Sequence, residues 1–428
     1  MIDQANINKH IQKTLIKRKR VEKRFKLYGI AAIAVALGFL IFLLSNISLS
    51  AIGAFNQYSV KLDIYFDSEV IDPDGTRDLE TLAAANYLGI YKQSMRAAFP
   101  DAKSRKQKKA LYGIATTDVP YILRDAVLEN PQLIGTKTSL WILASDEIDL
   151  ALKGEVDRAL PEIERRVSDL EFGWIDQLYQ QERIKSELNT AFFTSGDSRE
   201  PELAGILGAM AGSFFTLIVC FVLSFSFGIL SSIYLEMFAR KNAIHTIIEV
   251  NINNLAAVPS IVFGLLGLAV FINFLGMPVA SPLVGGTVLA IMTLPTVIVA
   301  SRAALKAVPP SIMEAAYGIG ASRLQAVFHH ALPLAMPGML TGGIIGMARA
   351  LGETAPLLMI GMVAFVVDVP TSFTDKATVL PVQIFLWADS PERAFAMKTA
   401  AGILVLLAFL ISMNIIAIIL RKKYEVRW

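Results

Sequence analysis

The stretch PPSIMEAAYGIGASRLQAVFHHALPLAMPG, residues 309–338, decides the fold because it separates long apolar runs and has the pattern of a helix, a turn and a second helix. Its two leading prolines suit the first positions of a helix, which we expect over residues 311–319. Gly320 permits a sharp turn, since glycine adopts left-handed backbone angles without steric cost. Ser322, with a glutamine three residues later, predicts a capping box that starts the second helix, and Pro333 is expected to end that helix.

Apolar runs without Asp, Glu, Lys or Arg lie on both sides of this stretch. They cover residues 27–60, 203–235, 250–301 and 399–420. Each exceeds the ~18 residues that mark a candidate membrane span. Gly276, Pro278 and Pro282 interrupt the third run, which therefore predicts two spans joined by a short turn, and a further span follows Pro333. With 54% hydrophobic residues and a mean hydropathy of +0.52, the 428-residue chain is predicted to be a mainly α, polytopic membrane protein with six helices.

The two ends of the chain are basic, and this sets the expected orientation. Residues 1–26 carry nine Lys or Arg against two acidic residues, and the chain ends RKKYEVRW. Because positively charged flanks stay in the cytoplasm, six spans predict both termini on the cytoplasmic side of a bacterial inner membrane. The loop at 303–335 is then also cytoplasmic, and we call it the coupling loop. The first span, at 27–49, is longer than a signal peptide requires and is expected to remain as an anchor.

Residues 50–200 lie between the first two spans and are expected on the periplasmic side. They contain 25 acidic and 18 basic residues, a net charge of −7. Alternating patterns predict strands at 59–66 and 138–145, and periodic patterns predict helices at 155–170 and 175–188, so the segment is expected to be a soluble α+β domain. It has no histidine or cysteine, which argues against a zinc site or a thiol nucleophile. Its role stays open.

The span after Pro333 contains GMARALGETAPLLMIG, residues 346–361, which has two charges four residues apart, Arg349 and Glu353. This spacing predicts that both lie on one face of a helix. An arginine in mid-bilayer costs ~2.5–3.5 kcal/mol even on lenient scales, so it needs a partner or a polar path. A guanidinium suits tetrahedral oxyanions, and a carboxylate accepts a hydrogen bond from a protonated one. A buried structural pair is the alternative, and Pro356 is expected to kink the helix.

The coupling loop carries the signature of a known family. The signature is an E-A-A triplet, a glycine and a Leu-Pro pair at fixed spacing: Glu314, Ala315, Ala316, Gly320, Leu332 and Pro333. This EAA motif resembles the coupling helix of ABC importer permeases, whose loop inserts into a cleft of a cytoplasmic ATPase subunit. The resemblance implies that docking role for residues 314–320, although His330 stands where the family has a hydrophobic residue. The sequence has no GxxxxGK[ST] loop, so Mg–ATP is expected in the partner, with no cofactor, metal or enzyme activity in this chain.

The segment ARALGETAPLL resembles the PstA family of phosphate-specific ABC permeases, and the likeness extends over residues 200–428. The resemblance implies the type I importer fold with a permease domain at 201–428, and a substrate path that includes Arg349, Glu353 and Thr354. It implies as partners a PstC-like permease, two PstB-like ATPase subunits, a periplasmic phosphate-binding protein, phosphate and the lipid membrane, without nucleic acid. The long insertion resembles a longer variant of this family.

Two other functions fit parts of the sequence. The EAA motif serves every cargo, so a permease for sulfate, molybdate or another oxyanion is an alternative. A membrane-anchored sensor fits less well, since only eight residues follow the last apolar run. Selectivity among oxyanions, the ionisation of Glu353 and the regulatory partners stay open.

Overall fold

The computed structural model describes residues 4–363 and 365–424, so the C-terminal residues beyond Tyr424 that entered the charge argument lie outside the described chain. A first helix, α1, runs over Gln4–Phe55 and passes directly into strand β1 at Asn56. Eight shorter helices follow before the next long one. They are α2 Ser68–Ile71, α3 Leu79–Ala84, α4 Tyr87–Ala98, α5 Arg105–Tyr112, α6 Val119–Glu129, α7 Asp146–Leu152, α8 Asp169–Gln180 and α9 Thr190–Thr194.

The second half of the described chain is almost entirely helical. Its helices are α10 Leu207–Ile233, α11 Ala243–Ala256, α12 Ser260–Leu266, α13 Pro282–Lys306, α14 Pro310–Gly318, α15 Arg323–Ala326, α16 Leu332–Gly352, α17 Ala355–Met359, α18 Leu380–Ala388 and α19 Ala394–Tyr424. π-helical segments extend three of them, at Tyr234–Phe238, Gly267–Phe274 and Val327–Ala331. Two 3-10 turns lie at Pro131–Leu133 and Glu162–Glu164.

Within the described residues, five helices are long and apolar enough to cross a membrane, and a bent pair brings the number to six. The bent pair consists of Ala243–Ala256 and Ser260–Phe274, which meet at an angle of 104°. The bend falls before Pro259, because a residue that precedes proline is disfavoured in helical conformation. The predicted mainly α, polytopic architecture is therefore confirmed, with one of the six predicted spans built from two helices.

The segment between α1 and α10 is an α+β unit around a three-stranded antiparallel sheet. The strands are β1 Asn56–Tyr65, β2 Lys137–Leu143 and β3 Ile184–Leu188, in the order β2-β1-β3. One face of β1 buries Val60, Leu62 and Ile64 against the helices, and the other face carries polar side chains. Both predicted strands are thus confirmed, and so is the α+β class of this segment.

The two helices predicted in this segment are largely wrong. Residues 155–170 contain the 3-10 turn Glu162–Glu164 and only the first two residues of α8, because Pro161 interrupts any helix at the middle of the segment. Residues 175–188 start inside α8 but end as strand β3. The change occurs at Glu182, whose φ of 55° turns the chain out of the helix and back along β1.

Helices α10, α13 and α16 form the centre of the membrane part, where small residues allow close contact. A Cβ on Gly342 would lie 2.4 Å from the Cβ of Ala300, and one on Gly338 would lie 2.6 Å from that of Ala304. Helix α16 is therefore held directly against the backbone of α13. This contact fixes which face of α16 points away from the rest of the chain.

Candidate translocation path and coupling loop

Arg349 and Glu353 lie together at the end of helix α16. The Nε atom of Arg349 is 3.6 Å from Oε1 of Glu353. The expectation that both share one uninterrupted helix is wrong, because α16 ends at Gly352 and Glu353 is extended, with φ −83° and ψ 123°. The cause is Pro356, which has no N–H and whose ring clashes with the carbonyl four residues earlier, that of Gly352. The pair therefore flanks a break between α16 and α17 rather than a kink.

The face of α16 that carries Arg349 makes little contact with the rest of the described chain. The Arg349 side chain is 48% exposed and that of Glu353 is 21% exposed. Ile345, one turn earlier, is also exposed, while the adjacent residues Gly346 and Ala350 are buried. An apolar helix that presents a guanidinium away from its own core must meet a polar path or a partner there, because lipid solvates the charge poorly.

The Arg349 guanidinium keeps most of its donors available. Its contact with Glu353 is an ion pair at 3.6 Å and not a hydrogen bond, and the Arg349 side chain makes no hydrogen bond to another described residue. Thr354 is the residue before α17. It is half-buried, and its hydroxyl does not cap that helix. The structure thus brings Arg349 and Glu353 together, and Thr354 is the next residue along the chain.

The coupling loop has the predicted helix–turn–helix form at its start. Helix α14 covers Pro310–Gly318, Gly320 turns the chain with φ 88°, and Ser322 caps α15 in a full capping box. Glu314 and Ala315 are exposed, as is Ile319 at 83%. Ala316 is buried and its carbonyl accepts a hydrogen bond from the N–H of Ala321 at 3.0 Å, so it supports the turn from within.

The prediction that Pro333 ends the second helix of this loop is wrong. Helix α15, the π-helical turn Val327–Ala331 and α16 form one continuous helix of 30 residues, Arg323–Gly352. The wider π turn lies directly before Pro333, where the ring would otherwise meet the carbonyl of the preceding turn. Arg323 and Arg349 are therefore on the same helix, ~39 Å apart at 1.5 Å per residue.

An ion cluster at the base of the coupling loop was not predicted. Arg302 on α13 has its Nη1 2.9 Å from Oε1 of Glu249 on α11, and its Nε 3.3 Å from Oε2 of Glu236 beyond α10. Lys306 is 3.6 Å from the same carboxylate of Glu236. The Arg302 side chain is only 11% exposed. The signal in the sequence was two cations four residues apart, Arg302 and Lys306, directly after an apolar span.

The coupling loop also bonds to the segment after α10. Arg323, the first residue of α15, donates a hydrogen bond to the carbonyl of Met237, and its guanidinium lies over the Phe238 ring at 5.2 Å. This hydrogen bond uses the backbone of Met237 rather than its side chain. One contact network thus joins the coupling loop and the ion cluster to helices α10, α11 and α13.

Buried polar contacts join the α+β unit to the last helix. Lys398 on α19 is 5% exposed and donates a hydrogen bond to the carbonyl of Ala204. The indole Nε1 of Trp387 donates to Asp197 at 3.0 Å. Glu202 is 7% exposed, and burial raises its pKa to about 7. In the part of the chain that the structure describes, no group of three His, Cys, Asp or Glu side chains is placed to hold a metal ion.

Comparison with known proteins finds separate family matches for the two halves of the chain. Residues 224–426 match the family described as a binding-protein-dependent transport system inner membrane component. Residues 12–162 match a domain of unknown function, DUF3333.

Individual proteins match the second half. The phosphate transport system permease protein PstA of Yersinia pestis is 32% identical over 220 residues, which cover 51% of this chain and 73% of that protein. The phosphate transport system permease protein PstA 1 of Mycobacterium tuberculosis strain H37Rv is 28% identical over 219 residues, 51% of this chain and 70% of that protein. Among solved structures, an inward-facing MetNI methionine ABC transporter matches with a TM-score of 0.41 and 17% identity, over 50% of this chain and 95% of that chain.

Proposed function

The chain belongs to the PstA family of ABC importer permeases, and we propose that it carries inorganic phosphate across the cytoplasmic membrane by alternating access. It is a multi-pass membrane protein of a family whose permeases work with an ATPase and a binding protein. The observation that carries the proposal is the half-exposed Arg349 at the broken end of α16, beside Glu353. Both relatives named above are phosphate transport permeases.

Arg349 would be the contact for the anion in the path. Its guanidinium offers parallel N–H donors that match two oxygens of a phosphate. Thr354, at the same helix break, would contribute a hydroxyl that either donates or accepts. The half-exposed position of Arg349 leaves room for the cargo beside its ion pair with Glu353.

Glu353 would select among oxyanions. At neutral pH phosphate still carries a proton, so it can donate a hydrogen bond to the carboxylate, whereas fully ionised sulfate can only be repelled. The break between α16 and α17 places this carboxylate 3.6 Å from Arg349, close enough for one tetrahedral anion to contact both. A pair of opposite charges here thus favours hydrogen phosphate over sulfate or molybdate.

The exposed part of the coupling loop would dock on the ATPase. Glu314 and Ala315 on α14, with Gly320, form the exposed surface, while Ala316 holds the turn. The continuous helix Arg323–Gly352 then connects the docked loop to the anion contact, so a tilt of one end moves the other. The ATPase partner, two PstB-like copies in this proposal, would hold Mg–ATP, and this chain would supply no hydrolytic chemistry.

The proposed arrangement places the two termini in the cytoplasm and residues 50–200 in the periplasm. The basic segment 1–26 precedes the anchor at 27–49, and the permease domain covers 201–428 with the coupling loop at 303–335. A PstC-like permease would cover the exposed face of α16 around Arg349 and Ile345. A periplasmic phosphate-binding protein would deliver the cargo.

Uptake by the reconstituted importer tests the anion contact. Arg349→Ala is expected to lower ATP-dependent uptake of radiolabelled phosphate roughly 10- to 150-fold, because charged hydrogen bonds contribute about 1.5–3 kcal/mol. Arg349→Lys, which keeps the charge without the planar fork, is the matched control and should retain intermediate uptake with a raised KM. Co-purification of the partners with each variant verifies assembly. Wild-type uptake by an assembled Arg349→Ala importer would contradict the proposal.

Competition with sulfate tests the choice of cargo. Glu353→Gln removes the repulsion of a fully ionised anion while it keeps an acceptor oxygen, so sulfate is expected to inhibit phosphate uptake about tenfold more strongly than in the wild type. Phosphate uptake without competitor is the internal control. If the wild-type importer transports sulfate or molybdate in preference to phosphate, the alternative cargo is the correct one.

A further inference from the structure

On one of its two sides, strand β1 is paired with a neighbouring strand along only half of its length. It runs over Asn56–Tyr65 and pairs with β2 from Ser59 to Tyr65. With β3 it pairs only from Asn56 to Val60. The second half of β1, residues 61–65, therefore has no ladder partner on this side, although the Tyr65 N–H donates a hydrogen bond to Oγ of Ser94 on α4 at 3.4 Å. We call this half the β1 edge.

The end of helix α8 explains why β3 stops short. The N–H groups of Glu182 and Arg183 bond back to the carbonyls of Tyr179 and Leu178 at 3.0 and 2.9 Å. Glu182 then adopts a left-handed φ of 55°, and β3 begins only at Ile184. Arg183 still accepts a hydrogen bond from the Lys61 N–H at 2.8 Å, but its own N–H is used by the helix end.

The β1 edge presents backbone groups that a strand would pair. Along a strand, successive residues direct their N–H and C=O to opposite sides. The carbonyls of Tyr58 and Phe66 bond toward β2, while the Lys61 N–H bonds toward β3. The N–H and C=O of Asp63 therefore point to the open side, where β3 has no residue to meet them.

A cavity of about 500 Å³ lies along this edge. That volume is within the usual range of binding pockets. Helix α4 forms one wall and the end of α8 the other, and the lining combines apolar and polar side chains: Leu62, Phe99, Leu178, Gln177, Gln181 and Arg183. The apolar members are buried, and the two glutamines are exposed at the rim. An apolar floor beneath the backbone N–H and C=O of Asp63 suits an extended peptide with alternating side chains.

The charges around the β1 edge are mainly positive, although residues 50–200 have a net charge of −7. Lys137 and Arg183 line the cavity with one acidic residue, Asp63. Asp63 accepts hydrogen bonds from Ser139 at 2.5 Å and from Arg183 at 2.7 Å, and these hold its pKa below the usual range. Lys185 lies over the neighbouring Trp141 ring at 4.3 Å and is ion-paired with Glu187 at 2.6 Å. The excess of positive charge in the cavity lining therefore comes from Lys137 and Arg183 against Asp63, and it favours an acidic partner.

We propose that the β1 edge binds a short, extended, acidic peptide segment of a partner protein, which adds to the sheet beside β3. The partner's backbone would exchange hydrogen bonds with the N–H and C=O of Asp63. An acidic side chain would contact Arg183 and Lys137, and an apolar side chain would enter the cavity over Leu62. The inference concerns the α+β unit alone and does not depend on the cargo proposed above.

Peptide binding to the full chain in lipid nanodiscs tests the proposal. The probe is a fluorescein-labelled pentapeptide of alternating valine and glutamate, followed by fluorescence anisotropy. One control peptide has lysine in place of glutamate, and another has N-methylated backbone amides. The glutamate peptide is expected to bind at least about tenfold more tightly than the lysine peptide, and the N-methylated peptide should not bind. Bound peptide should also slow hydrogen exchange at the Asp63 amide.

Charge-reversed variants separate recognition from folding. Arg183→Glu and, independently, Lys137→Glu should each weaken the glutamate peptide about tenfold, and an unchanged thermal midpoint shows that the variant is folded. Equal binding of the N-methylated peptide, or absence of binding by every peptide, would overturn the proposal. Displacement of the peptide by millimolar inorganic phosphate alone would also overturn it, because the site would then recognise a free anion.

Discussion

Among single residues, Glu202 combines deep burial with an unusual titration. It lies just before helix α10, is 7% exposed, and its Oε2 atom has no hydrogen-bond partner among the described residues. Burial disfavours the charged carboxylate and raises the pKa from the ordinary 4.5 to about 7. The folded protein therefore holds a proton at Glu202 more tightly than the unfolded chain does. Its contribution to stability is full below pH 4.5 and is lost as the pH rises through about 7.

Glu202→Gln should remove this pH dependence, because the amide is neutral at every pH and has nearly the same shape. At pH 8 the variant is expected to be more stable than the wild type by about 1–3 kcal/mol, and at pH 5 nearly equal to it. The measurement is the thermal unfolding midpoint of the detergent-solubilised protein across that pH range. Glu129→Gln, at an exposed helix end, is the control and should leave the unfolding midpoint unchanged across the pH range. Parallel pH profiles for wild type and Glu202→Gln would refute the assignment.

Two prolines beside helix α16 have different effects on it. Pro333 and Pro356 both sit in or beside helix α16, and each was expected to disturb a helix. Pro356 ends α16 at Gly352, whereas Pro333 is absorbed because the preceding turn widens to π geometry. Whether a turn can widen depends on what packs around it, and a sequence pattern does not contain that information. The exposed guanidinium of Arg349 could be anticipated from the sequence, but the helix break beside it could not.

At the level of elements, the ion cluster around Arg302 connects three helices to the coupling loop. Arg302 on α13 contacts carboxylates beyond α10 and on α11, and α13 leads within a few residues into α14. Arg323 fixes the other end of the loop to the carbonyl of Met237. In the proposed importer, a movement of the coupling loop would therefore be transmitted to α11 and α13 as well as along α16.

Arg302→Gln should loosen this connection. It leaves the carboxylates of Glu236 and Glu249 without their shared cation, at an expected cost of about 1–3 kcal/mol in stability. In the assembled importer, ATP hydrolysis should continue while transport per ATP falls severalfold, since the docking surface itself is unchanged. The readouts are the thermal midpoint and the ratio of uptake to hydrolysis. Lys306→Gln, whose side chain is 57% exposed, is the matched control and should have a small effect. An unchanged ratio in Arg302→Gln would contradict the coupling role.

The strands and helices of the α+β unit show which elements a sequence predicts well. Strands β1 and β2 were predicted from their residue patterns, and in β1 apolar and polar residues alternate from Val60 to Ile64. Strand β3, IKSEL, has only two apolar residues and follows directly on a helical pattern, so it resembled the continuation of α8. Its pairing with β1 is a tertiary effect, set by the left-handed turn at Glu182 and by long-range contacts. Short edge strands with polar faces are the elements that local patterns miss.

Across the whole molecule, the α+β unit and the permease helices have separate hydrophobic cores. The core of the unit contains Val60, Ile90 and Trp174, while a distinct cluster in the helices includes Val288 and Leu357. The two ends of the unit meet, since the Asn189 N–H donates to the carbonyl of Phe55 at 2.8 Å and its side chain bonds Ala54 at 3.0 Å. The unit is thus an insertion whose removal leaves a gap that a short linker can close.

This geometry predicts the outcome of removing the unit. Replacement of residues 57–187 by a short Gly-Ser linker should leave phosphate uptake by the assembled importer within about threefold of wild type, because Arg349, Glu353 and the coupling loop all lie outside it. The deletion also removes Asp149, which lines the same small cavity as Lys398. Because a buried amine without that carboxylate would be destabilising, the deletion is combined with Lys398→Met. Uptake and co-purification of the partners are the measurements, with Lys398→Met in the full chain as control. An assembled but inactive importer would show that the α+β unit takes part in transport itself.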